Sequence, residues 1–133
     1  MPESDFRVSV YTRIEHRRIL AVSKIISLVY PMDYGDTMIE IRQTAQYSKW
    51  FNSLRDHTAR ARINVRIRRL SLGNPGDVKS VGEGVSELRI DYAQGYRVYF
   101  HAKHNEYVLL LIGGDKSSQD DDIAKAKSLA REI

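Results

Sequence analysis

The stretch GVSELRIDYAQGYRVYFHAKHNEYVLLLIGGDKSS, Gly84 to Ser118, constrains the fold more than any other part of the chain. It reads as three short strands joined by tight turns, with a glycine-rich exit. Leu88 and Ile90 alternate with Glu87 and Arg89, and Val98 and Phe100 alternate with Arg97, Tyr99 and His101. That period of two marks half-buried antiparallel strands. One face of the sheet should therefore meet a core, while the other carries arginine, tyrosine and histidine.

The flanking sequence supplies the rest of a layer. Met38-Ile39-Glu40-Ile41-Arg42 alternates as a strand. Thr44 can cap a helix in which Tyr47, Trp50, Phe51 and Leu54 share a stripe, so Trp50 and Phe51 are expected in the core. A second helix is expected from about Thr58 to Leu72. Its Ala59, Ile63, Ile67 and Leu70 align, Arg62, Arg66 and Arg69 flank them, and Gly73 ends it with Pro75 beyond. A loop containing Lys79 leads to the three strands. A last helix begins at Ser118, whose hydroxyl can cap it, with Asp120, Asp121 and Asp122 at the positive end of its dipole. The expectation is an α+β fold, a small mainly antiparallel sheet with two N-terminal helices on one face and a C-terminal helix.

Residues 1–37 do not join this scheme clearly. They are read as an N-terminal extension, disordered or translated from a start codon upstream of the true one, because the domain at 38–133 is complete without them. A genuine amphipathic extension is the competing reading.

Composition narrows the partners. At 133 residues, 42% hydrophobic and 29% charged, the chain suits one soluble domain. It has no cysteine, which excludes disulfides and thiolate metal sites. Its longest apolar run, Tyr107 to Ile112, is too short to span a bilayer, and no secretory signal is evident, so a cytoplasmic location is expected. The net charge is +4, and residues 1–37 balance five basic side chains against five acidic ones, so the excess lies beyond them. Arg60, Arg62, Arg66, Arg68 and Arg69 fall within ten residues containing no acid. Such a cluster suits a polyanion or an acidic protein.

Across 38–133 the chain resembles the RelE superfamily of toxins from bacterial type II toxin–antitoxin modules, nearest the HigB-like group described as addiction module killer proteins. The resemblance rests on MIEIRQTAQYSKWFNSL, on RIRRLSLGNPGDVKSVGEGVSELRI, and most strongly on GYRVYF…VLLLIGGDKSSQDDDIAKAKSLA. It implies a RelE-like fold, ribosome-dependent cleavage of messenger RNA without a metal or cofactor, and neutralisation by a cognate HigA-like antitoxin of the helix-turn-helix kind. It matches Arg97 to the arginine of the family's Gly-Tyr-Arg strand, Lys116 to the basic residue after the last strand's glycines, and Glu87-Leu88-Arg89 to its Glu-Leu-Arg block. The C-terminal tyrosine that some RelE toxins use has no counterpart here. A non-catalytic RNA- or ribosome-binding protein, still paired with an antitoxin, is the alternative.

The chemistry itself selects candidates. Attack of a ribose 2′-hydroxyl on the adjacent phosphate needs cations for the phosphorane, and guanidinium groups of Arg97 and Arg89 suit its oxygens. Lys116 can add charge or a proton beside Gly113 and Gly114, whose missing side chains are expected to admit the RNA backbone. His101 is the candidate for proton transfer. Tyr99 is expected to stack on a base, and Lys79, Arg62, Arg66 and Arg69 to contact phosphates. Asp115 can cap or orient its neighbours. His57 and His104 read as turn or helix-end residues, and no spacing suggests a metal site.

Overall fold

A computed structural model describes the backbone of residues 7–11 and 25–29, and residues 39–103 and 106–133 in full. Seven strands form one mixed sheet in the order β1-β2-β3-β7-β6-β5-β4. These are β1 (Arg7–Tyr11), β2 (Ile25–Val29), β3 (Glu40–Gln43), β4 (Val78–Gly82), β5 (Val85–Ile90), β6 (Tyr96–Lys103) and β7 (Tyr107–Gly114). Every neighbouring pair is antiparallel except β3 and β7, which run parallel. Helices α1 (Ala45–Ser53) and α2 (His57–Ser71) connect β3 to β4, and α3 (Gln119–Ala130) closes the chain.

Both helices of the first pair carry a side-chain N-cap, of which the Thr44 cap is the expected one. Thr44 Oγ1 accepts from Tyr47 N (3.0 Å) and donates to Leu111 O (2.7 Å), so one buried hydroxyl starts α1 and ties it to β7. Asp56 accepts from Ala59 N (3.1 Å) at the start of α2 and from the Tyr92 hydroxyl (3.1 Å) in the β5–β6 turn. Gly73 lies past the end of α2 at φ +85°, the left-handed conformation that stops a helix.

Both faces of the sheet are covered across β5, β6 and β7. Ile63 and Ile67 of α2, with Tyr47 of α1, pack on Leu88, Ile90, Val98, Phe100, Val108 and Leu110. On the other face Ala126 of α3 packs on Val85, Tyr99, Tyr107, Leu109 and Leu111. The β6–β7 register slips between Tyr99 and Phe100, so that Leu111 and Ile112 both join the α3 side. A bulge of this kind reorients a strand end and strengthens its twist.

Two expectations change, and residues 1–37 contribute two further strands. Lys79 is in a strand, not a loop, because Val78–Gly82 pairs with β5 and extends the three-strand meander to four. The Ser118 hydroxyl makes no cap hydrogen bond to α3; it donates instead to the buried Asp122 carboxylate. Within 1–37, Arg7–Tyr11 and Ile25–Val29 are strands paired in series onto the free edge of β3. Each is only five residues long, too short for a period to stand out in the surrounding sequence. Met38 and His104 lie outside the described residues.

Candidate functional site

Strand register decides which candidates meet. Arg89 of β5 faces Arg97 of β6, and Arg97 faces Gly114 of β7. One row along, Lys79, Glu87, Tyr99 and Ile112 are paired across four strands. Directly opposed residues share a sheet face, so both rows lie on the α3 side. Two arginines directly opposed across strands repel, and a third residue must compensate.

Glu87 compensates. Its carboxylate is fully buried yet accepts from four donors. Oε1 takes Arg97 Nη1 at 3.0 Å and Arg89 Nε at 3.2 Å. Oε2 takes the Tyr99 hydroxyl and Gln119 Nε2, both at 2.9 Å. Burial alone would raise the Glu87 pKa, but the Tyr99 and Arg89 hydrogen bonds and the Arg97 charge prevail and hold it below the usual carboxylate range. Glu87 is therefore an anchored anion and a poor proton acceptor. Arg97 is nearly enclosed, with 12% of its side chain exposed and its Nε buried without a partner, whereas Arg89 leaves 35% exposed.

Lys116 reaches the same end of the sheet from the turn after β7. Its aliphatic stem lies over Gly95, two residues before Arg97, and its ammonium is exposed. Asp115 orients that turn by accepting from Ser117 N (2.8 Å). Arg97, Arg89 and Lys116 thus gather at one sheet end, with exposed Lys79 in the neighbouring row.

Other candidates separate from this cluster. Tyr99 is fully buried under α3 and spends its hydroxyl on Glu87, so it cannot stack on a base. Burial and the Glu87 carboxylate both push its pKa up. His101 sits four residues along β6 from Arg97, about 13 Å at strand rise, with Nδ1 against Gly84 O (2.9 Å). The glycine pair does not open the backbone to RNA either. A Cβ on Gly113 would collide with the Trp50 ring, and one on Gly114 with the Asp122 carboxylate, so both glycines serve internal packing.

The arginine helix is a second, separate surface, because α2 packs on the opposite sheet face. Arg66 is committed there: it donates to Arg89 O, to Pro75 O (2.8 Å) and to Asp77 O (3.2 Å), fixing the loop between α2 and β4. Burial lowers its pKa, against the Asp77 charge. Arg62 lies over the Tyr92 ring (4.8 Å to its centroid), and Arg69 is exposed. Both border a groove of about 660 Å³ with Ala61, Val65, Ile90 and Asp91, in which Val65 is 53% exposed. His57 also lines it.

Among the described residues, no group of three His, Cys, Asp or Glu side chains converges to hold a metal ion, and no helix is long and apolar enough to cross a membrane.

Comparison with known proteins places this geometry in a family. The model of the phage derived protein Gp49-like family matches residues 49–132, which contain the whole Arg97 cluster. The chain belongs to the Gp49-like family. An uncharacterized protein of Haemophilus influenzae is 52% identical over 95 residues, covering 71% of this chain and 96% of its own. No solved structure matches this Gp49-like protein.

The main element that sequence reasoning missed is Glu87, which entered only as an alternating strand position and as part of the Glu-Leu-Arg block. Its signal was present: Glu87 is in phase with Val85, at an inward strand position where a carboxylate must find donors. Gln119, from the first turn of α3, gave no comparable signal.

Proposed function

We propose that this Gp49-like protein is the toxin of a type II module, RelE-like in fold and HigB-like in kind, acting in the cytoplasm as a metal-independent endoribonuclease on messenger RNA at the ribosome. The family's association with addiction-module killer proteins supports the toxin role. The observation that carries the chemistry is the Arg89–Arg97 pair, held side by side on one buried carboxylate, with the Lys116 stem over Gly95, two residues before Arg97. In the proposed step the ribose O2′ bonds to phosphorus, the bond from phosphorus to O5′ breaks, and a 2′,3′-cyclic phosphate and a 5′-hydroxyl result. The free edges of Arg89 and Arg97 bind the non-bridging oxygens as charge builds. Lys116 stabilises the departing O5′, which ends with the proton that O2′ loses to water. Lys79 contacts a flanking phosphate, and Arg62 and Arg69 attract RNA from a distance.

One observation favours a second reading, a non-catalytic RNA- or ribosome-binding protein: neither His101 nor Tyr99 is placed to take a proton beside Arg97. In both readings a helix-turn-helix antitoxin neutralises the protein, with an acidic segment suited to the α2 groove beside Arg62 and Arg69. Induced expression distinguishes them. Growth should stop, and Arg97→Ala and Lys116→Ala should each restore it, with cleavage of ribosome-bound mRNA falling about 10²–10³-fold for Arg97→Ala. Arrest that survives both substitutions would leave the binding reading in place.

A further inference from the structure

Glu87 is the one fully buried acid among the described residues, and it receives donors from three elements: Arg89 on its own strand, Arg97 and Tyr99 on β6, and Gln119 at the start of α3. A salt bridge that served stability alone would need one arginine. This carboxylate holds two, opposed in register, where two guanidinium groups would otherwise repel; Arg89 also reaches Asp77 Oδ1 at 3.7 Å, but Glu87 is the acid that bridges both arginines. Its remaining oxygen is filled by Tyr99 and Gln119, so it is fixed in turn by a core side chain and by α3. Arg89 keeps 35% of its side chain exposed and Arg97 12%, so each retains some surface for an anion while Glu87 holds the pair.

We propose that Glu87 is the positioning residue of this site: it fixes the Arg89 and Arg97 guanidinium groups as a preformed fork for one phosphate, and Gln119 locks α3 to that fork. The proposal rests on the ribonuclease reading for its kinetic consequence, but not for its structural one. A fork fixed before RNA arrives spends no binding energy on orientation, and a misplacement near 1 Å can cost about 100-fold in rate.

Charge gives the test its direction. Glu87→Gln keeps the side chain's size and removes its negative charge, so electrostatics alone should hold or tighten RNA binding. If Glu87 positions, the single-turnover cleavage rate at saturating RNA should fall about 100-fold while half-saturation is unchanged or lower. Glu87→Asp keeps the charge but shortens the reach, and should also lose rate. Nuclear magnetic resonance of the arginine guanidinium groups supplies a readout independent of activity. The full-length wild type should show a slowly exchanging Nε–H signal for Arg89 and slowed Nη rotation for Arg97, the groups that Glu87 holds, and Glu87→Gln should shift both toward the behaviour of exposed arginines.

Signals unchanged in Glu87→Gln would overturn the proposal, as would a fall in rate matched by an equal fall in affinity. Signals shifted in that variant, with a wild type that cleaves no RNA, would uphold the fixed fork and defeat the ribonuclease reading. Should Glu87→Gln fail to fold, Gln119→Ala removes one donor and leaves three, and is expected to slow cleavage about threefold to tenfold at unchanged affinity. Full rate in Gln119→Ala would remove the proposed lock on α3.

Discussion

The protein carries two clusters of cationic side chains, one on each side of the same sheet, and they are built in opposite ways. At the sheet end, Arg89 and Arg97 are fixed by a buried anion, with side-chain partners from three elements. On α2, Arg66 is consumed by backbone carbonyls, Arg62 rests on an aromatic ring, and Arg69 stands in solvent. Arginine count alone would rank the helix first. Fixation ranks the sheet end first, because preorganised charge stabilises a transition state, whereas mobile charge mainly raises encounter rate.

The largest effect should come from the backbone behind the sheet-end cluster. Gly114 faces Arg97 in register, and a Cβ there would lie 1.8 Å from Asp122 Oδ2 and 2.9 Å from Ser118 Oγ. Neither atom is the free end of a long chain, since Asp122 is buried and bonded to Ser118. Gly114→Ala should cost about 3 kcal/mol of stability in chemical denaturation. A neutral substitution would mean that α3 can lift from the sheet, and that the fork is less rigid than its contacts imply.

The second effect divides the helix arginines. Arg66→Ala removes the guanidinium donor from Pro75 O, Asp77 O and Arg89 O, of which Asp77 O keeps the Arg89 N–H (3.0 Å), and should cost about 2 kcal/mol. Reversing Arg62 and Arg69 together should change stability by less than about 1 kcal/mol, the scale of one exposed cation–π contact. The same double reversal should weaken RNA binding most at low salt, lowering the salt slope by about two, with the saturated cleavage rate unchanged. A fall in that rate would erase the distinction between the two surfaces.

What was legible in the sequence follows the same division. The helix stripes, the Thr44 cap and the alternation in β5 and β6 are local signals, and the structure reproduces them. Arg89, Arg97 and Lys116 were each named from the sequence, and it is the register of β5, β6 and β7 that brings them to one sheet end. Face assignment failed where a distant element covers the surface. The alternation of Arg97, Tyr99 and His101 looks half-exposed from within β6, but α3, arriving from the end of the chain, buries Tyr99. The role of Gly113 and Gly114 was misread for the same reason: glycine reports a close approach, and the approaching groups are Trp50 and Asp122. Short β1 and β2 depend on a neighbour's edge that their own sequence does not encode.

The smallest effect compares two buried carboxylates that sit on opposite sides of the pKa scale. Glu87 is held low, so the stability it contributes is present above the unfolded carboxylate pKa of about 4.3 and is lost as pH falls through its lower folded value. Asp122 is the reverse. Burial raises its pKa, only partly offset by the Ser118 hydrogen bond and the Lys125 charge, with Asp115 and Asp121 raising it further. A group raised in the folded state contributes most below its unfolded pKa, about 3.9, and that contribution is lost as pH rises through the folded value. At neutral pH, Asp122 is therefore a cost that the fold carries. Asp122→Asn keeps the shape beside Gly114 and removes that cost, so the variant should be slightly more stable than wild type at pH 7, with the two curves converging as pH drops toward 4. Denaturation midpoints across pH 4–8 measure it, with Arg97 and Glu87 intact in both proteins. A variant less stable than wild type at pH 7, with the deficit vanishing toward pH 4, would show that the ionised Asp122 carboxylate is itself needed to seat α3, and that the sheet end rests on two anchored anions instead of one.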